Sequence, residues 1–423
     1  MKVFKFGGAS VQDAEAIQNV AQILKKYGEG ELLIVISAMG KTTNALENIL
    51  EKYWNGEEYI SGIHALKNSH TNIINHLFDS GSKEQFEVNA DIENDFIAIE
   101  HYFEKDLERN YNYIYDQIIS FGELIATKII SWYLNHVGYR NKWVDARNFI
   151  ITDQRYREAR VDWKTTSLLV KRQIPESIKI APILTQGFIG ATTENHTTTL
   201  GREGSDYTAS IFANILDAEK VVIWKDVPGV MNADPKKFPD AIKFNTISYR
   251  EAIEMTYYGA TVIHPKTIQP LQQKNIPLQV KSFLAPELEG TIITADDTKI
   301  EVPITIVKSN QSLLSIASKE LSFITEKSLE EIFKCIADLN IKVNLMQNSA
   351  ISFSIVIDSD ADKITDFSNA LGGNYKIRHN NDLELITIRH YQTEKLDAFL
   401  QGRNRHVFLE QKSRTTIQLL MER

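Results

Sequence analysis

The sequence predicts an α/β protein with a mainly parallel sheet, followed by C-terminal modules of ferredoxin-like order. Short apolar runs alternate with amphipathic helical segments through the first part of the chain, which is typical of parallel strands joined by helices. The pattern then changes to the order βαββαβ. Because 423 residues exceed what one compact core holds, at least two domains are expected.

The first parallel pair is predicted at the N-terminus. VFKF (Val3–Phe6) and LLIVIS (Leu32–Ser37) have the composition of buried strands, and apolar residues at helical spacing lie between them. A strand, a helix and a second strand in this order imply a parallel pair with a right-handed crossover.

The elements that follow continue this pattern. From Thr42 to about Gly138 the spacing is mostly helical. Further strands are predicted in KWVDA, IAPILTQGFIG, KVVIWKDV and PLQVKSF, and helices at Ser205–Leu216 and Tyr249–Tyr258. The strand GTII (Gly290–Ile293) closes this part of the chain.

The polar stretch TADDTK marks a boundary, which predicts domains at residues 1–293 and 300–423. Residues of about 312–380 contain SLLSIAS, a helix at Lys327–Leu339, KVNLMQ, SFSIVID, a helix at Asp362–Leu371 and YKIRH. A second copy consists of LELITIRH, a helix near Thr393–Leu400, RHVFLEQ and TTIQLLM, and it is incomplete. The spare strand EVPITIV predicts a discontinuous second module, about 300–311 plus 381–423, with the first module inserted within it.

Composition excludes several classes of function. The net charge of -8 is spread along the chain without a basic stripe, so no nucleic-acid partner is expected. No apolar run is long enough to span a bilayer, and MKVFKFGG does not have the character of a signal peptide, so a cytoplasmic location without membrane contact is expected. The single cysteine excludes an internal disulfide bond and fits a reducing compartment.

Two glycine-containing loops follow the first two strands. In KFGGAS, Gly7 and Gly8 allow backbone N–H groups to approach an anion, and Lys5 adds a positive charge; an ordinary strand-to-helix turn is the alternative. In ISAMGKTTN, Ser37 and Thr43 follow the second strand, and capping of a helix is the alternative. Open parallel sheets bind ligands at the carboxyl ends of their strands, so both loops are expected at one site.

Three later segments are candidates for the same site. Glu123 in SFGE starts a helix, where it either complements the helix dipole or binds an ammonium group. In TTTLGREGSDY, Arg202 lies between glycines and can grip a carboxylate with two donors, and Asp206 begins the next helix. The loop VVIWKDVPGVMNADPKK is either an ordered surface loop or a nucleotide contact with phosphates near Lys236.

Six motifs in this order resemble the aspartate kinases of the amino acid kinase family: KFGGAS, SAMGKTTN, SFGE, QGFIG with TTTLGREGSDYTA, WKDVPGVMNADP and GATVIHP. The C-terminal modules resemble the paired ACT modules of these enzymes. The resemblance implies a three-layer amino-acid-kinase-like sandwich plus ACT modules. It implies phosphoryl transfer from ATP to the side-chain carboxylate of L-aspartate, with Mg²⁺, on the route to lysine, threonine and methionine.

The resemblance also implies roles for individual residues. Lys5 counters charge on the transferring phosphoryl group, and Gly7, Gly8 and Ser37 hold its oxygens. Glu123 receives the ammonium group of aspartate and Arg202 its carboxylate, with Ser37 and Thr43 nearby. Asp206 orients the basic residues. The nucleotide contacts implied are Lys5, Gly7, Gly8, Ser10, Lys225, Asp226, Met231 and Lys236.

The chain departs from the family pattern at several positions. Glu203 replaces a glycine beside the anion grip, and its side chain is expected to point away. Lys225 and Met231 stand where relatives have threonine or tyrosine. Thr261 replaces a lysine, so one phosphate contact is lost, and Lys225, Lys236 or Lys266 is expected to replace it.

Other functions stay open at this level. One alternative is an amino acid kinase with another substrate, such as glutamate, carbamate or a nucleoside monophosphate. A second is a catalytically silent protein that senses an amino acid. The first ACT helix begins without a glycine and with Glu326, Glu330 and Glu331, so weak or altered feedback by lysine or threonine is expected. Pairing of ACT modules implies a homodimer.

Overall fold

The computed structural model describes residues 1–104, 110–260, 263–296, 299–320, 322–392 and 406–423. These residues form two compact units. The first contains Met1–Val230, Lys243–Ile253 and Thr261–Thr298, and the second contains Met231–Ile242, Glu254–Ala260 and Lys299–Arg423. None of the described helices combines the length and the apolar character that crossing a membrane requires.

The first unit is built on an eight-stranded sheet. Its strands in chain order are β1 (Lys2–Phe6), β2 (Leu32–Ile36), β3 (Lys142–Val144), β4 (Ile183–Gln186), β7 (Lys220–Lys225), β8 (Thr246–Ser248), β9 (Leu278–Ser282) and β10 (Thr291–Thr294). The spatial order is β3-β4-β2-β1-β7-β9-β10-β8. Every pair is parallel except β9 with β10, which confirms the mainly parallel sheet.

One predicted strand is divided in the structure. The segment IAPILTQGFIG forms β4 and then β5 (Ile189–Ala191), which leaves the main sheet and pairs antiparallel with β6 (Thr197–Thr199). Phe188, between the two strands, has a φ of 72°, and this left-handed residue turns the chain out of the sheet. The small β5–β6 sheet leads directly into the loop that contains Arg202.

Helices accompany these strands in the first unit, and the helix Tyr249–Tyr257 continues into the second unit from Glu254. They are α1 (Ala14–Tyr27), α2 (Thr42–Trp54), α3 (Ile60–Leu77), α4 (Lys83–Glu104), α5 (Tyr111–Ile119), α6 (Phe121–His136), α7 (Trp163–Ile178), α8 (Gly204–Ile215), α9 (Tyr249–Tyr257) and α10 (Pro265–Gln273). Asp13 caps α1 by accepting a hydrogen bond from the backbone N–H of Ala16. The core includes Trp224, whose ring is stacked on Phe6 of the neighbouring strand with 5.9 Å between centroids.

The second unit contains a six-stranded antiparallel sheet. Its elements are β11 (Ile304–Ser318), α11 (Glu326–Asp338), β12 (Val343–Asn348), β13 (Ser352–Asp358), α12 (Ala361–Leu371), β14 (Tyr375–Arg389), β15 (Val407–Lys412) and β16 (Thr416–Glu422). The strands lie in the order β12-β13-β11-β14-β16-β15. This arrangement is consistent with ACT-like modules.

The sequence separates EVPITIV from SLLSIAS and YKIRH from LELITIRH, whereas the structure joins each pair in one long strand. The joins are irregular: the pairing of β11 with β14 shifts register between Lys308 and Gln311, and Asn310 and Asp382 have positive φ. The strand breaks predicted at these polar residues are therefore wrong, because a bulge accommodates them inside the ladder. The helix predicted near Thr393–Leu400 lies outside the described residues.

Candidate active site

The turn after β1 is fixed against the loop after β2. A Cβ atom on Gly8 would lie 2.8 Å from the carbonyl oxygen of Ala38, so only glycine fits there. The backbone N–H of Gly40 donates to the carbonyl oxygen of Gly8 at 3.0 Å. The two loops that the sequence predicts at one edge are thus in direct contact.

A cavity of about 730 Å³ opens at this edge of the first unit. It brings together eight of the residues expected at the site: Lys5, Gly8, Ser37, Thr43, Glu123, Arg202, Asp206 and Lys225. These residues come from five separate segments. Three of the segments lie at the carboxyl ends of β1, β2 and β7.

Asp206 pairs with two lysines in the cavity wall. One of its carboxylate oxygens lies 2.5 Å from Nζ of Lys5, and the other lies 3.5 Å from Nζ of Lys225. Burial raises the pKa of Asp206, but Lys5 and Lys225 outweigh that effect and hold the pKa below its ordinary value. The carboxylate is therefore ionised at neutral pH and holds two ammonium groups in place.

Glu123 is buried in the first turn of α6. Its Oε2 atom has no hydrogen-bond partner among the residues that the structure describes. Burial raises the pKa of Glu123 to about 8, although the backbone N–H groups of Glu123 and Ala38 and the charge of Lys5 lower it. An acceptor that is both buried and incompletely bonded is suited to a cationic donor from a ligand.

The loop before α8 presents Arg202 to the cavity. Gly201 and Glu203 on either side have φ values of 76° and 53°, so the arginine lies in a tight left-handed turn. Glu203 accepts a hydrogen bond from the backbone N–H of His264 at 2.9 Å. Glu203 is also among the residues that line the cavity. Burial raises its pKa, while Lys225 lowers it.

Asp116 is a functional candidate that the sequence did not reveal. It lies on α5 and is fully buried; it accepts hydrogen bonds from the backbone N–H and the hydroxyl of Thr199, at 2.8 and 2.7 Å. The backbone N–H of Arg157 donates to both of its oxygens. Burial raises the pKa of Asp116 to about 6, although these hydrogen bonds lower it. Asp116 thus ties the loop around Arg157 to β6, close to Arg202 in the chain.

Several residues that do line the cavity were also missed. Asn112, Tyr115, Tyr156, Arg157 and Glu158 lie in no motif, and Phe188 and Ser205 lie inside motifs but were given no role. The positive φ of 72° at Arg157, a residue with no glycine beside it, depends on contacts distant in sequence. Only the cluster of aromatic and charged residues in QRYRE gave any signal in the sequence.

Some expected site residues do not line this cavity. The hydroxyl of Ser10 is buried and donates to the carbonyl oxygen of Gly7 at 2.6 Å, so it stabilises the turn. A Cβ atom on Gly7 would lie 3.5 Å from Nζ of Lys5, so Gly7 lies beside the lysine. Asp226 is not in the lining, and Met231 and Lys236 belong to the second unit. Thr261 lies outside the described residues.

The acidic residues do not form a metal centre of their own. In the described ranges, no group of three or more histidine, cysteine, aspartate or glutamate side chains is placed to hold a metal ion. Asp206 is already paired with two lysines. These residues do not fit a dedicated Mg²⁺ site, although magnesium in kinases is commonly bound mainly through substrate phosphates and water.

Comparison with known proteins agrees with this geometry. The model of the amino acid kinase family matches residues 1–282. The chain belongs to the amino acid kinase family, among the aspartokinases. Lysine-sensitive aspartokinase 3 of Escherichia coli is 32% identical over 362 residues, which is 84% of this chain and 78% of the relative.

Solved structures agree over the whole chain. Aspartokinase III of E. coli in complex with aspartate and ADP superposes with a TM-score of 0.82 at 26% identity, covering 100% of this chain and 96% of that one. The same enzyme with lysine and aspartate also has a TM-score of 0.82, at 28% identity. The chain spans only 41% of the bifunctional aspartokinase/homoserine dehydrogenase 2 of Arabidopsis thaliana, to which it is 29% identical.

The raised pKa of Glu123 predicts a pH dependence of stability. The folded state keeps this carboxyl protonated up to about pH 8, whereas its ordinary value is 4.5. Between these values the folded state binds more protons than the unfolded state, so stability falls as pH rises. We expect Glu123→Gln to reduce the fall in melting temperature between pH 5 and 8.

Glu15→Gln is the matched control, since Glu15 is an exposed glutamate in the first turn of α1. It should leave the pH profile of the melting temperature unchanged. Parallel profiles for the wild type and Glu123→Gln would contradict the interpretation of Glu123 as a buried acid of raised pKa.

Proposed function

We propose that this cavity catalyses phosphoryl transfer from ATP to the side-chain carboxylate of L-aspartate, giving 4-phospho-L-aspartate. The observation that supports it most directly is the convergence of two lysines on buried Asp206 in a cavity that also contains Arg202 and Glu123. Phosphoryl transfer needs positioning and charge compensation more than covalent help from the protein. Cations, hydroxyls and backbone donors supply both.

The reaction requires no proton transfer by the protein. An oxygen of the aspartate side-chain carboxylate attacks the γ-phosphorus, and the bond from this phosphorus to the ADP oxygen breaks, leaving the electron pair on ADP. Lys5 is proposed to compensate charge on the phosphoryl oxygens, because Asp206 holds its ammonium at 2.5 Å in the buried wall. Mg²⁺ is proposed to enter with ATP, as part of the MgATP substrate.

Aspartate is proposed to bind through groups of complementary charge. Arg202 would take its α-carboxylate with two parallel hydrogen bonds, and the buried Oε2 of Glu123 would accept from its ammonium group. Ser37 and Thr43, in the same cavity wall, supply hydroxyls. The ammonium would favour ionised Glu123, so aspartate binding is expected to displace the proton from this carboxyl.

The proposed nucleotide contacts differ in how much the structure supports each of them. Lys225 lines the cavity and lies 3.5 Å from Asp206, which supports a role at the phosphates. Gly7 lies beside Lys5, and Gly8 lines the cavity. Ser10, Asp226, Met231 and Lys236 are proposed on the resemblance of their motifs alone.

Regulation, assembly and location are proposed on the family's pattern. The side chain of Thr325 caps α11 by accepting a hydrogen bond from the backbone N–H of Ser328. Thr325 therefore already bonds to the helix start at which the family's pattern would place an effector. We expect weak or altered feedback by lysine or threonine there. A homodimer formed through the ACT-like modules and a cytoplasmic location complete the proposal.

The decisive measurement is aspartyl hydroxamate formation from ATP and aspartate by the purified chain. ADP release with aspartate, but not with glutamate, carbamate or a nucleoside monophosphate, would exclude another substrate, and any substrate-dependent turnover would exclude a silent sensor. We expect Lys5→Ala to lower kcat about 100- to 1000-fold, the scale of one lost charge-stabilising donor. Lys2→Ala, at the other end of β1, is the control and should retain activity.

Arg202→Lys tests the carboxylate grip. Lysine keeps the charge but loses the planar pair of donors, so we expect the KM for aspartate to rise about tenfold or more, while the KM for ATP stays close to wild type. Arg172→Lys, an exposed change on α7, should alter neither constant. A selective rise in the KM for ATP would show that Arg202 serves the nucleotide instead.

Separate alanine variants of Lys225, Lys236 and Lys266 test which lysine replaces the phosphate contact missing at Thr261. We expect Lys225→Ala to raise the KM for ATP most, because Lys225 is the member of this set that lines the cavity. An unchanged KM for ATP in all three variants would reject the hypothesis that one of these lysines replaces the missing phosphate contact.

A further inference from the structure

Arg157 adopts a backbone conformation that is unfavourable for its type. Its φ of 72° lies in the left-handed region, where residues other than glycine are uncommon and cost free energy. The surrounding structure enforces it, since its backbone N–H donates to both oxygens of fully buried Asp116, at 3.0 and 2.9 Å. Strain held in this way at a cavity wall suggests a function for the side chain.

The guanidinium of Arg157 is held over an aromatic ring at the cavity. Its central carbon lies 4.3 Å from the centroid of Tyr115, and the hydroxyl of Tyr115 donates to Glu47 at 2.5 Å. Glu47 lies one turn after Thr43 on α2. The contact of the guanidinium with the ring therefore restricts its position at the cavity.

The guanidinium of Arg157 forms no ion pair in the part of the chain that the structure describes. By contrast, Arg147 lies 2.7 Å from Asp145, and Arg389 lies 2.9 Å from Glu254. Arg202 resembles Arg157, since neither has a carboxylate within ion-pair distance in the described ranges. Both guanidinium groups lie in one cavity, and neither has an ion-pair partner among the described residues. This arrangement indicates an anionic ligand.

The position of Arg157 favours the amino-acid end of that ligand. A Cβ atom on Gly201, the neighbour of Arg202, would lie 3.2 Å from the carbonyl oxygen of Arg157. The backbone N–H of Ala159 donates to the carbonyl oxygen of Thr199 at 2.9 Å, so the two loops are fixed to each other. The phosphoryl-binding lysines are instead paired with Asp206.

We propose that Arg157 is a second carboxylate-binding residue for the amino-acid substrate and shares the α-carboxylate with Arg202. This inference rests on the proposed aspartate kinase activity. Arg157 adds a guanidinium that lies against the ring of Tyr115, whereas Arg202 lies in a turn with left-handed residues on both sides. The site thereby selects amino acids that carry a free α-carboxylate.

Arg157→Gly separates this role from a structural one. Glycine adopts the positive φ without strain, so the fold is relieved at this position and the melting temperature should not fall by more than a few degrees. We expect the KM for aspartate to rise about tenfold, the loss of one charged hydrogen-bonding group. The kcat and the KM for ATP should stay within about threefold of wild type, and Arg157→Lys should be intermediate.

Arg155→Ala is the matched control, because Arg155 is an exposed arginine of the same loop that pairs with Asp153. It should leave all three constants unchanged. Competition by the α-amide of aspartate, which has no α-carboxylate, supplies a second readout. Arg157→Gly should weaken aspartate binding but leave the inhibition constant of this amide unchanged.

An unchanged KM for aspartate in Arg157→Gly, with an active wild type, would overturn the inference alone. Equal weakening of aspartate and its α-amide, or a rise confined to the KM for ATP, would overturn it as well. A wild type without aspartate-dependent ADP release would overturn the proposed function and the inference together.

Discussion

The ion pairs of Asp206 are the interaction on which the arrangement of the site depends. Asp206 belongs to α8, Lys5 to β1 and Lys225 to β7, so one buried carboxylate connects three elements. A buried charge is costly unless it is paired, and two ammonium groups provide that pairing. The same pairing holds the two lysines at the cavity wall, where the proposed phosphoryl transfer would use them without reorganisation.

The loops at the strand ends owe their positions to close backbone contact. Gly8 accepts from the N–H of Gly40, and no side chain fits at Gly8, so the turns after β1 and β2 approach as closely as backbone permits. Glu203 adds a link to the start of α10 through the N–H of His264. Each loop is thus held by another loop, which explains how irregular segments can present side chains at fixed positions.

The side of the cavity that contains Arg157 and Arg202 is organised from α5. Asp116 holds the backbone of Arg157 and of Thr199, and the neighbouring Gln117 bonds both the N–H and the carbonyl oxygen of Thr197. These two side chains act as additional partners for β6, which pairs with β5 alone among the strands of the described residues. A helix outside the recognisable motifs therefore determines where Arg202 and Arg157 lie.

The sequence by itself determined the parallel sheet and the segments that carry Lys5, Glu123, Arg202 and Asp206, because apolar spacing and glycine turns are local properties. Only the tertiary structure decided the contacts of Asp116 and Arg157, since a buried carboxylate finds its donors at residues distant along the chain. It likewise joined two predicted strands in β11, because a bulge is stable only when the partner strand accepts it. The local sequence pattern therefore predicts helices and strands, whereas contacts between distant residues decide which groups interact.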